Sequence, residues 1–379
     1  MPGQLKTYRK KRDFKKTPGT EGREEKKEKP SAGTGSSAEN DELFLKAQKK
    51  LKKAPQPGSV KPMLATLAGK KPFPKEGWIY ESKLDGQRCI ALRSGQDLRL
   101  ISRNQILVNG NYPELVQAML AQPSRDFIAD GEIVAFRKGL PSFEELQPRM
   151  QIRDPVEAMR TGIKVFYYLF DLIYLEGYEL ANLELRLRKD ILRQTFTFRD
   201  PVRFAEHKES AGVDFFEESC KKGFEGVIAK KADSLYRPGR SMEWQKFKCG
   251  HGQEFVIGGY TDPGGARTGF GALLLGYYEK GKLVYAGKVG TGFDQFMLDT
   301  LAEKLGKLEQ KERPFAPHPE LSEKGEKVKR GKKNIHWVKP ELTGEVEFSE
   351  WTSGGLLRQP RFKGLRPDKP AREVVREEA

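Results

Sequence analysis

The sequence predicts an α+β protein with two globular domains behind a basic tail. From residue 59 onward, short strand patterns alternate with short helical patterns, which is typical of antiparallel sheets with flanking helices. After residue 250 the strands are separated by Gly-rich turns, and one amphipathic helix lies near residues 293–308. We therefore expect a tail (1–58), a first domain (59–250), a second domain (251–372) and a charged C-terminal end (373–379).

The composition indicates a polyanionic partner. The 379 residues include 69 Lys and Arg against 53 Asp and Glu, a net charge of +16 with a pI near 9.5. Such an excess favours nucleic acid over a membrane as the partner. No apolar run reaches the roughly 18 residues that would span a bilayer, and no signal peptide is evident. We expect a cytoplasmic protein that does not contact membranes.

The tail carries much of this charge, with 16 Lys and Arg against 8 Asp and Glu in residues 1–58. Low apolar content over residues 20–40 predicts a largely disordered segment, and residues 43–54 have the spacing of a short basic helix. Such a tail is usually only solvated, but it can also add salt-dependent phosphate contacts.

The second domain has the pattern of an OB-fold β-barrel. Several short strands, Gly-rich turns and one amphipathic helix fit this fold, which often binds nucleic acids. Residues 322–339 predict a basic loop that contains glycines.

One lysine stands out as a candidate nucleophile. The run 78–85 alternates as a strand should, which places Glu81, Lys83 and Asp85 on one face, and Gly86 should end the strand. A lysine amine becomes nucleophilic when burial or nearby cations lower its pKa. Taken alone, the motif is weak, because an ordinary solvated lysine at a strand end has the same pattern.

Further strands carry polar residues at their ends or inside them. Glu132 lies in the strand at 127–136 and could contact a ribose or a metal, although strand-edge glutamates are common. Asp171 interrupts the apolar run 165–174 and needs a buried partner. Phe170 beside it fits the core, or alternatively a platform for a base.

The strand at 243–248 places two cations on one face. Because side chains alternate between the two faces of a strand, Lys246 and Lys248 share a face with Trp244, and Phe247 lies on the other face. Two such cations repel each other unless an anion lies between them.

The cysteines suggest no special chemistry. Cys89, Cys220 and Cys249 match no zinc-binding spacing, so we expect reduced structural thiols.

Six stretches taken together resemble a known family. Their content and order are similar to those of the ATP-dependent ligases of the covalent nucleotidyltransferase superfamily. The stretches are ESKLDGQR (81–88), SRN (102–104), DGEIVAF (130–136), FDLIYL (170–175), EGVIAK (225–230) and WQKFK (244–248). The segments at 236–241, 254–260, 271–277, 285–293 and 362–373 are similar to the ligase module of the bacterial ligase D family, which joins DNA breaks by end joining. The resemblance covers roughly residues 58–375.

Residues 5–17 are similar to the opening of that family's phosphoesterase module, but the body of the module does not follow. We therefore expect a stand-alone ligase. The SRN stretch is followed by Gln105, where relatives often have glycine.

The resemblance implies a nucleotidyltransferase fold for the first domain and a catalytic role for Lys83. Its amine would attack the α-phosphate of ATP and carry AMP. Phe170 would stack on adenine, Glu81 would read the edge of the base, and Glu132 would hold the ribose or a metal.

The resemblance also implies a basic surrounding for the phosphates. Three lysines would surround the α-phosphate and lower the pKa of Lys83: Lys230, Lys246 and Lys248. Of these, Lys246 and Lys248 would be catalytic residues. Glu225 would bind Mg²⁺ or Mn²⁺.

Two further groups follow from the resemblance. Asp85, Arg88 and Arg103 would fix the nucleotide and the phosphate of the nick. The second domain would rotate to bring a basic segment over ATP, and that segment comprises Arg366, Asp368 and Lys369, with Arg358 as a plausible fourth member. The implied partners are nicked or broken double-stranded DNA and a Ku-type end-binding protein, and the implied state is a monomer.

Two alternatives remain at this point. RNA ligases and GTP-dependent capping enzymes share the lysine motif and the adjoining strands. A basic chain with an OB domain could also bind nucleic acid without any chemistry.

Overall fold

A computed structural model describes residues 51–69, 72, 76–264, 268–321 and 334–377, with the backbone only for residue 251. The predictions for residues 1–50, which include the likeness at 5–17, lie outside the described residues. So does most of the predicted loop at 322–339, although part of its end forms a strand (β18, Ile335–Val338).

The first domain contains an eight-stranded sheet. Its strands are β1 (Lys52–Lys53), β4 (Gln87–Ser94), β5 (Asp97–Ser102), β6 (Asp126–Arg137), β7 (Leu140–Pro141), β8 (Val165–Leu175), β9 (Tyr178–Glu179) and β10 (Val202–Phe204). The central order is β1-β9-β8-β6-β4-β5, with β10 parallel to β8 and β7 beside β6.

A five-stranded sheet faces the first one. Its strands are β2 (Met63–Leu67), β3 (Trp78–Ser82), β11 (His207–Glu209), β12 (Gly226–Lys231) and β13 (Gly239–Lys248), and their order is β11-β3-β12-β13-β2. Apolar side chains from both sheets share one core cluster, in which Ile79 and Trp244 meet Ile90 and Phe170. Backbone pairing of β12 with β3 and with β13 holds these three strands side by side.

Five helices belong to the first domain: α1 (Pro113–Leu120), α2 (Phe143–Gln151), α3 (Pro155–Arg160), α4 (Leu185–Thr195) and α5 (Gly212–Lys221). The sequence patterns at residues 112–119, 183–195 and 209–222 predict the helices α1, α4 and α5, and Pro113 does occupy the first helical turn of α1. No pattern predicted α2 or α3. Pro148 inside α2 is a residue that normally argues against a helix.

The buried carboxylate predicted in β8 has the partner that it needs. Asp171 accepts two hydrogen bonds from Arg188 of α4, at 2.7 and 2.8 Å, and both side chains are fully buried. The ion pair ties α4 to the centre of the first sheet.

The second domain is an OB-like barrel, as predicted. Its long first strand, β14 (His251–Thr261), pairs with β15 (Leu273–Glu279), β18 and β19 (Thr343–Phe348), and β15 pairs with β16 (Lys282–Val289). The remaining elements are α6 (Gln295–Lys307), β17 (Glu309–Gln310), β20 (Glu350–Trp351), β21 (Leu357–Arg358) and β22 (Arg361–Leu365). Among the described helices, none is long and apolar enough to cross a bilayer.

Several boundaries differ from the predictions. Residues 51–58 belong to the first domain rather than to the tail, because Leu51 packs on its core and Gln56 hydrogen-bonds Arg93 and Phe127. The end of the predicted helix at 43–54 is a strand instead, because Lys52 and Lys53 pair with β9. The strand through Lys83 ends at Ser82, three residues earlier than predicted.

The C-terminal end is not merely charged and solvated. Val374 is fully buried in the barrel core, and its carbonyl accepts a hydrogen bond of 2.7 Å from the Tyr278 amide. The prediction for residues 373–379 was therefore wrong over 374–377.

The prediction of three reduced cysteines was also wrong. Cys220 and Cys249 form a disulfide with their Cα atoms 5.4 Å apart, and only Cys89 is a free, buried thiol. The pairing could not be read from a spacing of 29 residues. It arises because the end of α5 packs beside the end of β13.

Candidate active site

A cavity of about 170 Å³ opens between the two sheets of the first domain, and the second domain lies across it. Its walls include charged and aromatic side chains from both domains: Glu81, Lys83, Arg88, Arg103, Glu132, Phe170, Glu225, Lys230, Arg240, Trp244, Lys246, Lys248, Glu254, Glu345, Arg366, Asp368 and Lys369. The structure thus brings together nearly all of the predicted site residues. Asp85 joins them through the carboxylates described below.

Lys83 follows β3, and its amine donates a hydrogen bond to the Glu225 carboxylate. Burial is the largest influence on the pKa of Lys83 and lowers it, as Lys248 also does. Glu225, supported by Glu345 and Asp85, outweighs both, and the pKa of Lys83 is raised above its usual value. Lys248 thus lowers this pKa as expected, but the predicted net decrease was wrong, because the group closest to the amine is an anion.

Glu81 holds two buried lysines. Its carboxylate oxygens lie 2.7 Å from the Nζ atom of Lys189 and 2.7 Å from that of Lys230. Burial opposes its ionisation, but the two lysines outweigh burial and lower the pKa of Glu81 to about 2. Sequence analysis missed Lys189, because it lies among other basic residues of an amphipathic helix and only the tertiary fold shows that its amine is buried.

Lys230 lies against the aromatic wall. Its Nζ atom is 4.0 Å from the ring centre of Phe170 and 4.2 Å from that of Trp244. Burial lowers the pKa of Lys230 to about 8, although Glu81 opposes the shift. The structure pairs Lys230 with Glu81, so its contact with the α-phosphate stays a prediction.

Phe170 belongs to the core and also lines the cavity, and its role as a platform for a base stays a prediction. The guanidinium of Arg88 lies 4.5 Å from its ring centre. Arg88 itself makes two hydrogen bonds to Asp130, at 2.6 and 2.7 Å. Asp130 was not singled out in the sequence, yet it sets the position of Arg88.

The carboxylates that could hold a metal differ from the predicted pair. Asp85, Glu225 and Glu345 each place an oxygen within 4.8 Å of the others, and Glu132 is not in this group. Burial raises the pKa of Glu132 to about 7, although Arg88 and Lys83 oppose the shift. Of the two predicted metal ligands, Glu225 therefore lies in the cluster of three carboxylates and Glu132 lies outside it. Glu345 was missed because it comes from the second domain.

Burial and the neighbouring carboxylates Glu345 and Glu225 raise the pKa of Asp85. Three carboxylate oxygens suit a hard cation such as Mg²⁺. The donor set therefore fits the ion that the resemblance implies.

The predicted segment of the second domain reaches the cavity. Arg366 donates hydrogen bonds to Glu345 at 2.6 Å and to Asp368 at 2.8 and 2.9 Å. Lys369 donates to Glu254 at 2.7 Å. Arg358 does not reach the cavity, because it pairs with Glu350 on the surface at 2.7 Å and 63% of its side chain is exposed.

Arg103 lines the cavity from the turn after β5 and lies 3.3 Å from Glu373. Gln105, which differs from the glycine that relatives often have, adopts a φ of 61°. That left-handed conformation favours glycine.

Lys246 and Lys248 meet an anion, as two cations on one strand face require. The anion is Glu377, at 2.5 Å from the Nζ atom of Lys246 and 3.1 Å from that of Lys248. Trp244 lies in the core on the same side of the sheet, and Phe247 packs on the opposite side, as predicted.

The fold and the site belong to the class of ATP-dependent DNA ligases, as two family models indicate. The family model described as "ATP dependent DNA ligase domain" matches residues 62–248, and "ATP dependent DNA ligase C terminal region" matches residues 266–369.

The similar proteins narrow the class. The chain is 39% identical over 331 residues to the multifunctional non-homologous end joining protein LigD of Pseudomonas aeruginosa, covering 86% of this chain and 37% of that protein. It is 36% identical over 336 residues to LigD of Mycolicibacterium smegmatis, covering 88% of this chain and 42% of that protein. A solved structure described as mycobacterial DNA ligase D complexed with ATP and MES has a TM-score of 0.60 and 36% identity, covering 84% of this chain and 98% of that one.

The chain belongs to the LigD-type family of ATP-dependent DNA ligases. It spans about two fifths of the length of these two LigD relatives, at 37% and 42%.

Proposed function

We propose that the chain seals nicks in DNA with ATP, and that Lys83 carries AMP during the reaction. The observation that carries this proposal is the amine of Lys83 at the wall of a cavity whose other walls hold lysines and arginines from both domains. A cavity with fixed cations and one amine suits a polyanionic nucleotide that reacts at phosphorus.

The reaction has three displacements at phosphorus. The Lys83 ammonium first loses a proton to solvent. The neutral amine then attacks the α-phosphorus of ATP, so a P–N bond forms, the bond to pyrophosphate breaks, and a second proton leaves the nitrogen for solvent. An oxygen of the 5′-phosphate then attacks the AMP phosphorus and releases the lysine. Finally the 3′-hydroxyl attacks the activated 5′-phosphorus, loses its proton, and releases AMP as the phosphodiester forms.

The residues around Lys83 would position the groups and balance their charge rather than react themselves. Lys246 and Lys248 would hold the α-phosphate, and Arg366 and Lys369 would approach from the second domain. Glu225 keeps the Lys83 amine protonated, so attack requires that this ion pair be loosened. Asp85, Glu225 and Glu345 would hold Mg²⁺ or Mn²⁺, which when bound neutralises charge on the phosphates.

The adenosine end of the cavity would be formed by Glu81, Lys230 and Phe170. Phe170 would pack against the base, and Glu81 would contact its edge once a nucleotide changes the pairing with Lys230. Glu132 would hold the ribose, since its raised pKa makes it a hydrogen-bond donor below about pH 7. Arg88 and Arg103 would face the phosphates of the nucleotide and the nick.

The biological setting follows from the relatives. The names of the LigD proteins state non-homologous end joining, and the net charge of +16 suits DNA as the substrate. We therefore place the reaction in double-strand-break repair in the bacterial cytoplasm. The monomeric chain would act on broken or nicked duplexes with a Ku-type protein holding the ends.

The test uses α-labelled ATP or GTP with Mg²⁺, followed by a chase with a 5′-phosphorylated nicked duplex. We expect label from ATP on the wild-type chain, resistant to denaturation and lost as the nick is sealed. Lys83→Ala should take no label, while Lys231→Ala, which removes an exposed lysine that pairs with Asp233 in the same region, should take label normally.

Other outcomes would replace the proposal. Label from GTP alone would indicate a capping-type enzyme, and sealing only of nicked RNA would indicate an RNA ligase. DNA binding without label would indicate a binding protein.

A further inference from the structure

The second domain places one carboxylate, that of Glu377, against two lysines of the cavity wall, from a segment to which sequence analysis assigned no role. Glu377 pairs with both Lys246 and Lys248, and the three side chains are only 11%, 15% and 10% exposed. No other residue of the described chain pairs with both lysines. Glu377 is therefore the direct ion-pair partner of both lysines, while Glu254 attracts both of them without a direct ion pair.

Glu377 is held in place by the second domain. Its amide donates a hydrogen bond of 3.0 Å to Gln253 of β14, and the same Gln253 side chain donates to the Val375 carbonyl at 3.3 Å. Buried Val374 and the guanidinium of Arg376, which lies 4.4 Å from the ring centre of Trp351, anchor the flanking residues. The carboxylate thus belongs to a fixed segment rather than to a loose chain end.

The electrostatics fit a displaceable anion. Burial opposes the ionisation of Glu377, but Lys248 and Lys246 outweigh it and lower the pKa of the carboxyl group. Burial lowers the pKa of Lys246 to about 8, with Lys248 adding to the shift. A phosphate has the same charge sign and the same oxygen acceptors as the carboxylate. A phosphate in this position would therefore pair with the same two amines, those of Lys246 and Lys248.

We propose that Glu377 is an intramolecular competitor of the nucleotide phosphates, which pairs with Lys246 and Lys248 before ATP binds and sets the affinity for ATP. The inference rests on the proposed function, because it takes ATP as the ligand of these lysines. Entry of a phosphate must displace the carboxylate, so part of the phosphate's binding free energy is used for that displacement. Glu377 thereby becomes an affinity-determining residue of the reaction.

The test measures equilibrium binding rather than turnover. In chains that carry Lys83→Ala, which cannot react, calorimetry with Mg²⁺ gives the Kd of ATP with and without Glu377→Gln. We expect Glu377→Gln to bind ATP about tenfold more tightly, since a charge-assisted competitor is removed. Adenosine, which has no phosphates, should bind both chains equally.

Two further variants make the comparison specific. Glu347→Gln removes a carboxylate of the same domain that is 58% exposed and lies outside the cavity, and it should leave the Kd of ATP unchanged. Glu377→Asp keeps the charge on a shorter side chain and should give an intermediate Kd. It also provides the comparison if Glu377→Gln does not fold.

Equal or weaker ATP binding by Glu377→Gln would overturn the inference, because Glu377 would then only position the lysines or fill space. A tighter Kd for adenosine as well would also overturn it, since the effect would not act through phosphate. Failure of the premise that ATP is the ligand has a different signature, because ATP would then bind none of these chains.

Discussion

Lys83 shows at the scale of one residue how its nearest neighbour decides protonation. The cavity carries many cations, yet the amine contacts Glu225, and this anion keeps the pKa of Lys83 raised. The net charge of a site is therefore a poor guide to the protonation of its nucleophile.

Glu225→Gln should make the Lys83 amine more reactive in the nucleotide-free chain. The substitution removes the carboxylate that raises the pKa of Lys83, while burial and Lys248 still lower it. We expect an amine-directed reagent to modify Lys83 several times faster at pH 8 than in the wild-type chain, as followed by peptide mass spectrometry.

The matched control is Glu218→Gln, which removes an exposed glutamate that pairs with Lys208 and Lys222. It should leave the modification rate of Lys83 unchanged. An unchanged rate in Glu225→Gln would mean that the ion pair does not govern the amine.

At the scale of elements, the junction after β13 is fastened more firmly than its sequence suggested. Lys248 ends β13, the Cys249 amide donates a hydrogen bond of 2.9 Å to the Glu225 carbonyl, and the disulfide joins Cys249 to α5. The strand that carries the two lysines is thus tied to the helix behind the second sheet, just before the second domain begins.

Loss of this disulfide should lower the free energy of unfolding by about 3 to 4 kcal/mol, because the bond constrains a loop of 29 residues in the unfolded chain. Urea unfolding with and without dithiothreitol measures the difference. The double variant Cys220→Ser/Cys249→Ser should match the reduced chain and show no response to reductant.

Thiol titration in denaturant gives an independent check. We expect one reactive thiol, that of Cys89, before reduction and three after it. Three thiols in the unreduced chain would show that the bond does not form in solution.

At the scale of the whole molecule, polar contacts bring the second domain onto the first. The guanidinium of Arg366 lies 4.7 Å from the ring centre of Phe143 in α2, Gln147 donates a hydrogen bond of 3.4 Å to the Leu365 carbonyl, and Glu377 meets the lysines of β13. An arrangement held this way can release when a charged ligand replaces some of its partners.

The basic tail belongs to this scale too, because we expect its charge to act on DNA phosphates. Residues 1–19 contain 7 Lys and Arg against 1 Asp, whereas residues 20–40 contain 4 Lys and Arg against 5 Glu. Deleting residues 1–19 should weaken binding to duplex DNA at low salt and make it less dependent on salt. The log–log slope should fall by roughly 0.9 for each DNA phosphate that the shortened chain no longer neutralises.

Deleting residues 20–40 removes a segment of similar length with almost no net charge, so the slope should stay as in the full chain. Fluorescence anisotropy of a labelled duplex across a salt series measures both deletions. Equal slopes for all three chains would show that the tail does not bind DNA phosphates.

The sequence by itself determined which strands carry the candidate site residues, which lysine is the candidate nucleophile, and that a second, barrel-like domain follows. These features depend on local patterns, such as period-two alternation through Lys246 and Lys248, or on the order of short motifs along the chain. The need of Asp171 for a buried partner was also visible, because a carboxylate in an apolar run cannot stay unpaired.

Only the tertiary structure decided which charges meet. Lys189 reaches Glu81 across 108 residues, and Glu377 reaches Lys246 across 131. Glu345 joins Asp85 and Glu225 from another domain. Such contacts arise when sheets and domains close on each other, so no local spacing encodes them, yet the pKa of Lys83 and the charge balance of the cavity depend on them.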